Sequence, residues 1–295
     1  MPTWRSERPW SWKLPLALVI AAGVSLSGVQ DVPAAERIAE IAPGLPPAGP
    51  MLQVGEELVY KVSYAFLNLG TIKIQVLDQR EHRGKLVYHA KAYIDSNPSL
   101  GWLVDLHVLF ESIVDRGIYS HVFLSVDSTE KEIVSRQIQF DYDAKRATID
   151  LIKQERSKPI QRIRSDTIAI SAPIQDGLSL FFYARENVLE TKKVNVPTII
   201  DDVEVKTFIN FMGKRTRSEI DAINYPVDVL EFDGKADYVG IYGMTGGFRG
   251  WFSNDSARIP IEARMNVILG SVHIELLRWK RTNWIPPRFT EGKKP

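Results

Sequence analysis

Between Gly55 and Phe66 the chain alternates. Leu58, Tyr60, Val62, Tyr64 and Phe66 share one face, while Val59, Lys61, Ser63 and Ala65 share the other. A period of two marks a strand with one buried face. Asn68-Leu69-Gly70 predicts a turn, after which Ile72, Ile74 and Val76 resume the pattern. Residues 80–85 (REHRGK) predict a second turn, and 86–94 (LVYHAKAYI) a third strand. The alternation then lapses: Leu100, Leu103 and Val104 stand at helical spacing and predict a short helix near 98–105. Strands resume over 107–115, 119–127, 132–142 and 147–153, joined by turns of Asp, Lys and Gly. A strand about every ten residues is the spacing of an antiparallel meander.

One segment reads as a convincing helix, near 176–190. Asp176 suits its start, because a carboxylate there accepts from free first-turn amides. Leu178, Phe181, Phe182 and Arg185 then line one side. Further strands are predicted near 192–199, 202–212, 215–223, 226–234, 247–253, 258–268 and 271–279. So many strands in one chain predict a mainly β fold, a large twisted antiparallel sheet. Such a sheet must curl or become barrel-like, because long open edges invite association. The 176–190 helix is expected to pack against it. A single β-rich domain over 51–280 accounts for this pattern.

The flanks differ. Residues 1–13 carry Arg5, Arg8 and Lys13; an apolar run follows from Leu14 to Val24, and Val32 and Ala34 are small residues at a cleavage-site spacing. This is the pattern of a secretory signal peptide, with cleavage expected after Ala34. The apolar run is shorter than the roughly 20 residues of a membrane span. Residues 35–50, rich in Pro and Ala, predict a linker, and 281–295 form a basic tail read as a frayed end. The expected location is periplasmic or secreted.

The chain has no cysteine, which excludes disulfides, thiolate chemistry and a lipid-anchored N-terminal cysteine. With 1–34 set aside, basic and acidic residues balance, which argues against nucleic acid as a partner. No cofactor or metal is expected. The five histidines show no metal-ligand spacing; His273 and Glu275 share a strand face but lack a third ligand. Asp141, Asp143, Asp201 and Asp202 sit in predicted turns. No Gly-x-Ser-x-Gly elbow accompanies Ser179.

Residues 243–260 (GMTGGFRGWFSNDSARIP) concentrate glycine. None of the chain's Gly-Lys pairs is followed by Ser or Thr, and a strand rather than a helix follows these glycines, so a phosphate loop is excluded. Gly243, Gly246, Gly247 and Gly250 instead predict a bend or bulge in the sheet. Trp251, Ser253, Asp255 and Arg258 have two readings. In the first, Ser253 and Asp255 bind backbone amides of a turn, and Arg258 pairs with Asp255 or Glu262. In the second they form a ligand site, Trp251 stacking on an apolar face and Arg258 holding an anion.

Three motifs in order resemble a bacterial family known as domain of unknown function 3108. They are Gly55, Glu56, Leu58, Tyr60 and Gly70; then Asp176, Leu178 and Ser179; then Trp251, Ser253, Asp255, Arg258 and Pro260. Phe252 departs from the smaller aliphatic residue of the pattern. The resemblance implies an exported, mainly β domain and assigns no catalytic residue.

Three functions follow in order. The first is a non-enzymatic domain binding an apolar or amphipathic envelope component, a lipid or glycolipid, in a curled sheet lined by Tyr60, Tyr64, Phe66, Phe110, Phe140, Phe181 and Phe182. The second is a structural or interaction protein of the envelope with a filled core. The third is an envelope glycan hydrolase using scattered carboxylates.

Overall fold

The structure is a computed structural model that describes residues 51–101, 105–200, 202–236, 244–267 and 270–291. Eight strands form a meander: β1 (Glu57–Tyr64), β2 (Leu67–His82), β3 (Lys85–Ser96), β4 (His107–Asp115), β5 (Ser120–Ser128), β6 (Glu132–Asp141), β7 (Arg146–Glu155) and β8 (Gln161–Ala169). The helix α1 (Ser179–Asn187) follows. Six more strands complete the chain: β9 (Thr191–Ile200), β10 (Val203–Ser218), β11 (Val227–Ala236), β12 (Met244–Ser253), β13 (Pro260–Val267) and β14 (Ser271–Lys280).

All fourteen belong to one antiparallel sheet in the order β8 to β1, then β14 to β9. The join is the pairing of β1 with β14, from Glu57 opposite Lys280 to Tyr64 opposite Val272. The sheet is barrel-like and does not close, since β8 and β9 are its two edges. The alternation read from sequence sets the faces. Leu58, Tyr60, Ile74, Val76, Ala90, Ala92, Ile261 and Leu276 form one core with Leu178 and Phe182 of the helix. Ala184 and Val188, around the same helix, pack with Val196, Ile209, Phe211, Phe232 and Phe252. Strands far apart in the sheet order thus meet one short helix, so the sheet must curl around it. Each fully buried Leu, Ile, Val or Phe among them contributes roughly 1.5–3 kcal/mol.

A third core joins the two edges. Phe123, Ile138, Phe140, Ala147 and Ile149 pack with Ile170 and Ile174 from the link to the helix and with Ile199 of β9. The link stitches the seam with main-chain bonds: Ser120 N donates to Ile174 O, and Gln175 N donates to Pro197 O. The strand directions put the hairpin turns near 65–66, 129–131 and 156–160 at one end. The helix, the start of the described chain and residues 281–291 lie at the other.

Several expectations are corrected. The first turn is Ala65-Phe66, with Ala65 at φ 51°, and Leu67–Gly70 belong to β2. Phe66 therefore sits at a hairpin tip, 92% exposed, and lines no interior. Gly70 serves close packing instead: a Cβ there would overlap the Asp95 carbonyl of β3. The strands expected over 202–212 and 215–223 are a single strand, β10, which runs through a register shift between Phe211 and Lys214. Gly213, at φ 59°, lies in that shift. Near 98–105 there is one 3-10 turn, Pro98–Leu100, while 102–104 lie outside the described residues. The tail is not frayed over 281–291. Arg281 and Trp284 are buried, and Asp228 N and Phe289 N bond to Pro287 O and Pro226 O. The signal peptide and linker expected over 1–50, and Gly243, lie outside the described residues.

Candidate functional site

The glycine-rich stretch forms β12 and the turn into β13. Gly246 adopts φ 82° where the β12–β13 register shifts between Met244 and Phe248. A Cβ on Gly250 would overlap the Phe232 ring, which stacks on Phe252 with centroids 4.9 Å apart. Glycine here makes room for aromatic packing on the concave face.

Ser253, Asp255 and Arg258 converge on the turn that follows. The Ser253 hydroxyl donates to Asp255 Oδ1 (2.9 Å) and accepts from Ile259 N (2.7 Å). The same Oδ1 accepts from Ala257 N and Arg258 N, each at 3.0 Å. Asp255 Oδ2 accepts from the Trp284 indole at 2.8 Å, tying the C-terminal segment to the turn. Arg258, at φ 49°, reaches neither Asp255 nor Glu262 with its guanidinium. It donates to the Glu186 carbonyl (2.9 Å) and carboxylate (3.1 Å) on the helix. Trp251 stands apart, half-buried, with the Arg264 guanidinium 5.5 Å from its ring centroid.

The turn in turn holds Arg185. This side chain is fully buried on α1, and its guanidinium donates to Glu56 Oε1 (2.7 Å), Glu56 Oε2 (3.2 Å) and Met51 O (2.9 Å). It also donates to Ala257 O (3.0 Å) and Arg258 O (3.2 Å). Arg281 donates to the same Glu56 carboxylate and to Met51 O. Burial holds the Arg281 guanidinium below its ordinary value, with Glu56 pulling the other way. Two arginines therefore share Glu56, with Asp255 close enough to act on Arg281. A buried charge persists only when paired in this way.

At the start of the helix, Asp176 and Ser179 form a reciprocal lock. Asp176 Oδ1 accepts from Leu178 N and Ser179 N (both 2.7 Å) and from the Ser112 hydroxyl of β4 (2.8 Å). Ser179 Oγ accepts from Asp176 N at 2.7 Å. Burial pushes the Asp176 carboxyl up, against the pull of the bonds it accepts. Gly55 N donates to Val76 O, and Glu56 O accepts from Val76 N, which fixes the entry to β1. Tyr60 and Pro260 are buried, Tyr60 in the core beneath the helix. Gly247 sits where a Cβ would press on Asn266.

The polar groups read as isolated in sequence are partnered across strands. His89 lies between Asp78 (3.0 Å) and Glu111 (2.5 Å), His107 meets Asp95 (2.9 Å), His121 meets Asp115 (3.1 Å) and His273 meets Glu262 (3.0 Å). Glu275 meets Lys61 rather than His273. Asp202 meets Arg164 across the seam, Asp141 accepts from Ala144 N, and Asp201 lies outside the described residues. Among the described residues no three His, Asp or Glu side chains are placed to hold a metal. An open crease lies by Lys85, Leu86, Asp115, Arg116 and Gly117. Sequence reasoning missed the Glu56–Arg185–Arg281 cluster. The available signal was an arginine on the apolar side of the helix.

A family described as a protein of unknown function, DUF3108, matches residues 59–277. No curated protein matches the chain. Among solved structures, the chain is similar to a β-barrel-like protein of domain of unknown function DUF1849 from Brucella abortus. The identity is 12%, coverage is 77% of this chain and 98% of that one, and the TM-score is 0.46. It is also similar to a Bacteroides fragilis protein described as exported with a YmcC-like fold. Here identity is 8%, coverage 80% and 98%, and the TM-score 0.24. Among the described residues no helix is long and apolar enough to cross a membrane.

Proposed function

The chain belongs to the DUF3108 family, and from that premise we propose that it is an exported, non-enzymatic β-domain of the cell envelope that acts through its outer surface. The observation that carries this reading is the position of α1. Leu178, Phe182 and Arg185 occupy the space that a curled sheet would otherwise offer to an apolar ligand. Of the side chains expected to line such a space, Tyr60, Phe140 and Phe182 are buried in packed cores, and Phe66 points away at a hairpin tip.

The non-enzymatic part rests on how polar groups are used. Ser253 and Asp255 are committed to bonds within the turn and to Trp284, and Arg258 to the helix. Ser179 holds the helix start, and four histidines are engaged by carboxylates. Export is supported by the basic stretch, apolar run and small-residue site within 1–34. The reading thus favours the interaction protein with a filled core over the lipid carrier and the glycan hydrolase.

The test is crosslinking in living cells that express the full chain. A reproducible adduct with an envelope protein, lost when outer-face residues are substituted, supports the proposal. Adducts with cytoplasmic proteins alone would contradict it.

A further inference from the structure

The seam between β8 and β9 is held by unlike means at its two ends. At the helix end the link pins it with main-chain bonds. Ile170 N donates to Lys145 O (3.0 Å), Gln175 N to Pro197 O (2.9 Å) and Ile199 N to Gln175 O (2.8 Å). Toward the hairpin end β8 and β9 do not pair. Asp166 lies directly opposite Ile149 of β7 and so shares its inward face. Ile149 is fully buried, yet the Asp166 side chain is 47% exposed. The inner face of β8 is therefore left uncovered by β9, and the seam there is a slot. Arg164 spans it, meeting Asp166 on its own strand (2.6 Å) and Asp202 in the β9–β10 turn. Among the described residues β8 makes no other ion pair across the slot. Both side chains of the Arg164–Asp202 pair reach water, and exposed pairs hold weakly and yield to salt. The pinned end carries a fault of its own. Gln175 is 1% exposed, and neither Oε1 nor Nε2 of its amide has a hydrogen-bond partner among the described residues. A buried amide left unpaired weighs against the closed form.

We propose that this seam is a gate. The β7–β8 hairpin, hinged on the pinned link, swings between a closed form latched by Arg164 and Asp202 and an open form in which that latch is broken. Opening widens the slot along Ile149 and Leu151, which stand opposite Asp166 and Arg164. It uncovers the apolar side chains of the third core, Phe123, Ile138 and Ile149, and gives the Gln175 amide access to water. The gate thus controls the display of an apolar surface that the closed form keeps covered. The β7–β8 register shift between Leu151 and Ile152 sits beside Arg164, where a bulge lets the strand bend. A weak latch and an unpaired amide bring the two forms close in free energy, as a two-state element requires. The gate belongs to the seam and holds whichever partner the outer surface meets.

The chain holds no cysteine, so two can be introduced into the full chain for spin labels. Ser165 and Val203 are exposed residues on either side of the slot. With Ser165→Cys and Val203→Cys labelled, double electron–electron resonance is expected to show two distances. The longer one should gain population at about 1 M salt, where the screening length falls to about 3 Å. Asp202→Asn should raise the longer population at low salt and remove its salt dependence, and Asp202→Glu should restore both. Gln175→Met removes the unpaired amide and should shift the population back toward the closed form. Hydrogen exchange separates gating from general loosening. Asp202→Asn should speed exchange of the β8 amides about tenfold and leave β1 and β14 unchanged. A single distance in every variant and at every salt concentration would overturn the proposal. So would β8 exchange that rises only together with that of β1 and β14, or a larger open population in Gln175→Met.

Discussion

Glu56, one residue before β1, and Arg185, on the helix, lie 129 positions apart and make two hydrogen bonds of 2.7 and 3.2 Å, both side chains out of contact with water. This pair fixes the helix inside the curl. Removing Glu56 takes the carboxylate from both Arg185 and Arg281, which typically costs ~3–5 kcal/mol. Glu56→Gln is expected to lose stability on that order in urea unfolding, and Arg185→Met less, because Glu56 keeps its pair with Arg281. The double variant should lose less than the two singles combined, because Arg185 is then no longer a charge left behind by the loss of Glu56. Additive losses would mean that the pair is not coupled.

Gly70 is expected to tolerate no side chain. Gly70→Ala places a Cβ against the Asp95 carbonyl, and β2 and β3 cannot separate there without breaking their ladder. A loss on the order of 3 kcal/mol is expected. Gly84→Ala, in the β2–β3 turn with open space around its Cβ position, is the comparison and should cost less. Equal melting temperatures for the two variants would contradict this packing account.

Arg258 distinguishes clasp from ligand site. Its guanidinium meets Glu186, which is half exposed, so the pair is worth ~0–1 kcal/mol. Arg258→Ala and Glu186→Ala should lower the melting temperature slightly and by similar amounts. The double variant should lose little more than either single. If Arg258→Ala instead abolished binding of a carbohydrate or anionic ligand at unchanged melting temperature, the site reading of Trp251, Ser253, Asp255 and Arg258 would replace the clasp.

Acid should loosen the sheet. Burial works against the charged forms of Glu111, Asp115 and Glu262. Even so, Lys91 and His89, His121, and His273 with Ser218 respectively hold these carboxyls below their ordinary values. A depressed folded value contributes stability above the unfolded value, about 3.9 for Asp and 4.3 for Glu, and that stability is lost as pH falls further. Thermal melts are expected to be level near neutrality and to fall steeply below about pH 4. A melting temperature unchanged down to pH 3 would contradict this.

Asp176 has the opposite sign. Its carboxyl is pushed up by burial, so its charged form weighs on the fold as pH rises through the unfolded value. Asp176→Asn keeps an oxygen for the amides of Leu178 and Ser179 and is expected to be at least as stable at pH 8. Asp176→Ala loses those bonds and should cost about 2 kcal/mol. Equal losses in both variants would show that the charge itself is needed.

The alternation of apolar and polar residues made most strands and their inward faces legible, and Asp176 with Leu178 and Phe182 marked the helix. What escaped was set by distant parts of the chain. The Ala65-Phe66 turn carries no turn residues; Ala65 is held at φ 51° by the strands it joins. Asn68-Leu69-Gly70, read as a turn, belong to a strand because β1 pairs beside them. The break read near 213–215 is a shift within β10, since β11 pairs on both sides of it. The partners of Arg185 and Arg258 could not be named from sequence, because Glu56 and Glu186 reach them only after β1 joins β14 and the sheet curls. Local pattern fixes elements; the clasp depends on closure.

The most direct test of a filled interior is native mass spectrometry of the protein purified from the cell envelope, followed by solvent extraction. The account predicts the mass of the polypeptide, or of whole copies of it, with no co-purifying molecule and no uptake on incubation with a lipid extract. A discrete added mass that extracts as a lipid or glycolipid would contradict it and return the curled sheet to the role of a carrier.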